Sequence, residues 1–132
     1  MSFSPSIKQT LEGASARALA TTGPHGINVV PISMAKINEA DLWLFNFFMD
    51  KTTTNLQADP VVALTAWSGT TGIQVKGTAA YQVSGEEYDH AVAWVLEQDA
   101  TRTVRGLITL TPTALFDISL GGVFSPAELS LL

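Results

Sequence analysis

The chain has no cysteine, which removes disulfides, thiolate-bound metals and a cysteine nucleophile at once. It also has little charge. Only 14% of its 132 residues are charged while 46% are hydrophobic, a balance that suits a chain whose surface is partly covered by a second copy of itself. The seven basic residues (Lys8, Arg17, Lys36, Lys51, Lys76, Arg102 and Arg105) are scattered, and with twelve acids the net charge is −5. Without a basic stripe, nucleic-acid binding and adsorption to an anionic membrane lose their electrostatic footing. Histidine occurs only at His25 and His90, without carboxylates at ligand spacing. Both read as structural, no metal site is expected, and no Ser-His-Asp arrangement can be assembled. Met1-Ser2-Phe3-Ser4-Pro5 has neither the basic nor the apolar region of a signal peptide, and no apolar run reaches membrane-spanning length. A soluble, cytoplasmic protein of one domain over 1–132 is expected.

What is present is mostly strand-like. Ser4-Pro5 reads as a helix start, with Ile7 and Leu11 four apart and Gly13 as the stop. A short strand over Arg17 to Thr21 meets dense turn chemistry at Thr22 to Gly26, so a hairpin is expected. One strand is predicted from about Ile27 to Ile37, with Pro31 marking an edge, a bulge or a break. Leu42 to Met49 reads as an apolar strand, followed by a short helix that ends at Asp59-Pro60. Val61 to Trp67 is the next strand. Ile73 to Val83 alternates, with Ile73, Val75, Gly77, Ala79, Tyr81 and Val83 inward. Ser84 to Glu87 predicts a capping box, and Tyr88, Ala91, Val92, Val95 and Leu96 predict an amphipathic helix. A last strand over about Leu107 to Ser119 is expected to bend at Pro112. The sum is a mainly β fold: a six-stranded Greek-key barrel with two or three peripheral helices.

The chemistry concentrates at Lys51-Thr52-Thr53-Thr54-Asn55. Three consecutive β-branched residues are poor helix formers, so their hydroxyls are expected to be used. At a helix N-terminus, amides and the dipole attract an anion, and one lysine with several hydroxyls suits a phosphate. The plainer reading is that Asp50 caps a solvated helix. Trp43, Trp67 and Trp94 read as core or interface, with Trp67 the best placed to stack on a ligand.

In order and spacing, four segments resemble the FMN-binding split-barrel superfamily, which includes the pyridoxamine 5′-phosphate oxidases and small dimeric FMN-binding proteins. They are Ala18-Leu19-Ala20-Thr21-Thr22-Gly23 with Gly26, Val30-Pro31-Ile32-Ser33, Lys51-Thr52 with Asn55-Leu56 and Asp59-Pro60-Val61, and Val75-Lys76-Gly77-Thr78-Ala79. The resemblance implies FMN at the interface of a homodimer. Lys51, Thr52 and Thr53 would hold its phosphate, and Asn55 would support that loop or the ribityl chain. The backbone of Val30, Pro31, Ile32 and Ser33 would run along the flavin edge, with Phe48 and Met49 beside the ring or ribityl chain. No basic residue follows Arg105, whereas true pyridoxamine phosphate oxidases carry further basic groups for the substrate phosphate, so that activity is not expected. The implied function is electron transfer to a redox partner or flavin-dependent oxidoreduction of a small substrate. Non-catalytic binding of a flavin, deazaflavin or haem is the alternative, and an empty structural dimer is the third reading.

Overall fold

In a computed structural model, which describes residues 2–131, the chain runs α1 (Pro5–Gly13), β1 (Ala16–Thr21), β2 (Asn28–Pro31), β3 (Ala35–Asn38), β4 (Asp41–Asn46), α2 (Lys51–Ala58), β5 (Val61–Ser68), β6 (Thr71–Gln82), α3 (Glu86–Gln98) and β7 (Gly106–Asp117). The strands form one antiparallel sheet in the order β2-β1-β5-β6-β7-β4-β3. There are seven, not the six expected, because the strand predicted over Ile27 to Ile37 is two. Pro31 has no N–H to extend the ladder. The Ile32 amide still donates to the Arg17 carbonyl (3.0 Å), after which the chain leaves β1 and pairs with β4 instead.

That break decides the shape. β2 and β3 lie at opposite edges of the sheet. A flat sheet would hold its outer strands about 29 Å apart at the usual strand spacing. The connection from Pro31 to Ala35 reaches at most about 14 Å when extended. The sheet therefore curls until its edges approach, leaving a gap where residues 32–34 cross, and this is consistent with a split barrel.

Leu19, Leu42, Leu44, Leu64, Val75, Ile108 and Leu110 point into the curled sheet and are fully buried. Ile7 and Leu11 of α1 join them from one end, each contributing about 1.5–3 kcal/mol by burial. A second apolar cluster lies outside β4, where α3 lays Ala91 and Val95 over Trp43, Phe45 and Leu107. The sheet bends where expected. The β6–β7 register shifts between Lys76 and Gly77, opposite Pro112, leaving Thr113 as the extra residue of a bulge. Gly77 is required there, because a Cβ would strike the Thr111 carbonyl oxygen.

Three local expectations fail. The Ser84–Glu87 capping box does not form. Gly85, at φ 107°, is the N-cap residue, and no side chain caps the helix. Only glycine adopts this positive φ cheaply, and Glu87 instead accepts a hydrogen bond from the Thr109 hydroxyl (3.3 Å). Val83 lies beyond the end of β6 and is 61% exposed, so the inward alternation stops at Tyr81. Leu96, on the solvent flank of α3, is likewise exposed. No helix among the described residues is long and apolar enough to cross a membrane.

Candidate functional site

The site begins with one polar residue in an apolar strand. Asn46 closes β4 and is buried. Its amide donates to the Tyr81 hydroxyl (2.8 Å), its side-chain oxygen accepts from the Met49 amide (2.6 Å), and its carbonyl accepts from the Arg105 amide (2.8 Å). These bonds end the predicted strand three residues before Met49 and turn residues 47–50 into a bend. The bend leaves Phe48 87% exposed and aims the chain into α2.

Helix α2 starts at Lys51, as the sequence predicts, with Asp50 as N-cap residue but no side-chain cap. The threonines divide their work. Thr53 donates its hydroxyl to the Asp50 carbonyl (2.8 Å), and Thr54 approaches the same oxygen (3.4 Å). Thr52 is buried, and its hydroxyl accepts from the Asn28 amide (3.0 Å), tying α2 to β2. Asn55 is completely buried. It donates to the Gly26 carbonyl (3.0 Å) and the Thr21 hydroxyl (3.2 Å) and accepts from the His25 amide (3.1 Å). It holds the β1–β2 turn against α2. Lys51 is exposed at the first turn, beside amides that no helix bonds internally.

A cavity of about 540 Å³ opens at the gap between the sheet edges. Ser15, Ala16 and Arg17 wall it from the start of β1, Val30, Pro31, Ile32 and Ser33 from the crossing segment, and Phe45, Phe47, Phe48 and Met49 from β4 and the bend, with Arg102 added from the loop after α3. Six of the ten sequence-predicted site residues thus meet in one place. Lys51, Thr52, Thr53 and Asn55 do not line it. They sit on the adjoining helix, with Lys51 two residues beyond Met49. Since Ile32 bonds to Arg17, the antiparallel alternation turns the Val29 and Pro31 carbonyls away from β1, on the free edge of β2.

Arg17 and Arg102 were not among the residues expected at the site. Arg17 is buried and gives its three nitrogens to the carbonyls of Leu11 (2.7 Å), Glu12 (2.6 Å) and Ser33 (3.1 Å). It caps the end of α1 and pins the crossing segment. Burial pushes its guanidinium below the ordinary value, and Glu12 partly opposes that shift. Arg102 lies over the Phe47 ring (4.7 Å to its centroid), and Asp99 holds its Nε (3.4 Å). Arg17 alternates with Leu19 and Thr21 on the inner face of β1, so an inward charge was readable; nothing in the sequence placed Arg102 here. Trp67 lies elsewhere, 37% exposed on the outer sheet face. Trp94 stacks on Phe45 (5.5 Å) behind the cavity wall. Among the described residues, no three carboxylates or histidines converge as a metal site would need.

The profile of the pyridoxamine 5′-phosphate oxidase family matches residues 3–119. No match was found among curated proteins. Solved structures agree in fold. HupZ of Group A Streptococcus superposes with a TM-score of 0.79 at 16% identity, over 93% of this chain and 99% of its own. An FMN-binding protein from Syntrophomonas wolfei gives 0.74 at 16%, over 86% and 84%. HutZ, the haem storage protein of Vibrio cholerae, gives 0.69 at 17%, over 89% and 95%.

Proposed function

Because the chain belongs to the pyridoxamine 5′-phosphate oxidase family, we propose that it is an FMN-binding split-barrel protein, active as a homodimer in electron transfer or in flavin-dependent oxidoreduction of a small substrate. One observation carries the reading. The cavity formed by Val30–Ser33, Phe48 and Met49 adjoins the N-terminus of α2, so an apolar slot for a flat ring lies next to groups suited to a phosphate. Its volume falls within the usual range for small-molecule sites. The donor set suits FMN: aromatic and aliphatic walls, the outward carbonyls of Val29 and Pro31 along one edge, and Lys51 with the first-turn amides at the phosphate end. Thr53 spends its hydroxyl proton on the Asp50 carbonyl and has no donor left for a phosphate oxygen. Thr52, already bonded to Asn28, has only its own hydroxyl proton to offer.

FMN, when bound, supplies the electron chemistry, while the protein orients it and controls access. The outer face of the sheet supports the dimer. Along β1 and β5 it carries Ala16, Ala18, Ala20, Ala63 and Thr65, which are small side chains, flanked by exposed Val29, Val61, Trp67 and Phe116. A second copy of the chain fits such a face. It borders the cavity through Ala16 and Pro31, so a dimer formed through this face would have the cofactor beside its interface.

Haem binding is the second reading, supported by the likeness in fold to HutZ. Among the described residues, Met49 is the only thioether or imidazole lining the cavity, so this chain would offer haem iron a weak ligand. The deciding experiment adds FMN or haemin to purified protein, dialyses it and records the visible spectrum. Retained flavin bands support the proposal, whereas a retained Soret band with no flavin uptake replaces it. Lys51→Ala should then weaken FMN binding by about 1.5–3 kcal/mol, roughly 10- to 150-fold. Unchanged affinity would remove Lys51 from the phosphate site.

A further inference from the structure

We propose that Arg102 makes this cavity a receptor for a small planar carboxylate, the class of substrate that would lie beside the flavin. The inference rests on the flavin reading for its chemistry but not for its binding. In a chain of net charge −5 with only seven basic residues, two arginines and no acid line this one cavity. They are not equivalent. Every nitrogen of Arg17 already faces a backbone carbonyl, so it supplies positive potential but little new bonding. Arg102 is held on one side only. Asp99 takes Nε, and Asp99 is itself anchored by the Thr101 amide and hydroxyl (3.0 and 2.6 Å). Phe47 lies against the guanidinium, and Nη1 makes one long hydrogen bond, to the Ser33 hydroxyl (3.4 Å), which leaves its second hydrogen.

The Nη1–Nη2 edge therefore remains for a ligand, beside the phenylalanines of the bend. A guanidinium edge matches a carboxylate with two parallel hydrogen bonds. A phosphate dianion would call for more donors than this wall offers, and Asp99 opposes a second negative charge nearby. Neighbouring rings favour a planar body on the carboxylate.

The test titrates benzoate, benzamide and phenyl phosphate into the full-length protein. Binding to FMN-loaded protein is read from the flavin difference spectrum. Binding to FMN-free protein is read from tryptophan fluorescence, since Trp94 stacks on the cavity-lining Phe45. Benzoate should bind about tenfold or more tightly than benzamide and more tightly than phenyl phosphate. Arg102→Gln should abolish the preference over benzamide, and Arg102→Lys, which keeps the charge without the fork, should fall between. Three results overturn the proposal: equal or absent binding of benzoate and benzamide, a preference that survives in Arg102→Gln, or phenyl phosphate as the tightest ligand. If FMN is not taken up but the benzoate preference is intact, the flavin reading fails and the role of Arg102 stands. If FMN is taken up without the preference, only the role of Arg102 fails.

Discussion

At the scale of single residues, two buried asparagines organise the site. Asn55 satisfies three partners at the β1–β2 turn. Asn55→Ala would strand the buried Thr21 hydroxyl, and leaving a buried polar group unpaired costs about 1–3 kcal/mol. Urea unfolding should show that loss as a lower midpoint with unchanged slope, and an unchanged midpoint would mean that water replaces the side chain. Asn55 was named as a site residue only through the family resemblance. Asn46 was visible as the one polar residue in Leu42 to Met49, but that run read as continuous strand. Neither asparagine's partners were readable: Asn46 acts through Tyr81, 35 positions away, and Asn55 through Thr21, 34 positions away, and sequence spacing carries no information about such contacts.

Elements add constraints that single residues do not. The segment after β7 is tied down by carboxylates. Asp117 accepts from the amides of Ser119 (2.8 Å), Val123 (2.6 Å) and Phe124 (2.9 Å), and Glu128 accepts from the Ser125 amide (2.8 Å) and the Ser6 hydroxyl. The Phe124 and Val123 amides hold Asp117 well below the usual carboxylate range, and the Ser125 amide and Ser6 hydroxyl lower Glu128. A group depressed in the folded state stabilises above its unfolded value, and that stabilisation is lost as pH falls toward the folded value. The tail should therefore stay docked at neutral pH and loosen only in acid below about pH 4. NMR titration of the Val123 and Phe124 amides checks this, and a midpoint at the ordinary aspartate value would contradict it. Asp117→Asn should loosen the tail already at neutral pH. Among the regular elements, α1 and α3 were legible from apolar spacing and the hairpin from its turn residues. The division of the predicted Ile27 to Ile37 strand was signalled by Pro31, but its outcome was not. A proline marks a break without saying which strand the chain joins next.

For the whole molecule, the consequential surface is the outer sheet face. Val29→Glu adds a charge at a side chain already 62% exposed, so a monomer should fold as before. If this face joins two copies, a buried unpaired charge there is costly, and the variant should sediment as a monomer and lose affinity for FMN together. A variant that remains dimeric and binds FMN normally would mean that the copies meet elsewhere.

The sequence by itself determined the classes of element, the β-rich core, the lysine-threonine helix start and the family likeness, because these rest on periodicity, turn residues and local spacing. Tertiary structure alone decided that β2 and β3 become opposite edges of one curled sheet, and that the start of β1, the crossing segment, the bend after β4 and the loop carrying Arg102 meet around a single cavity. The physical reason is reach. A three-residue connection cannot span a flat seven-stranded sheet, so the sheet curls, and curling brings together residues that lie up to 87 positions apart (Ser15 and Arg102).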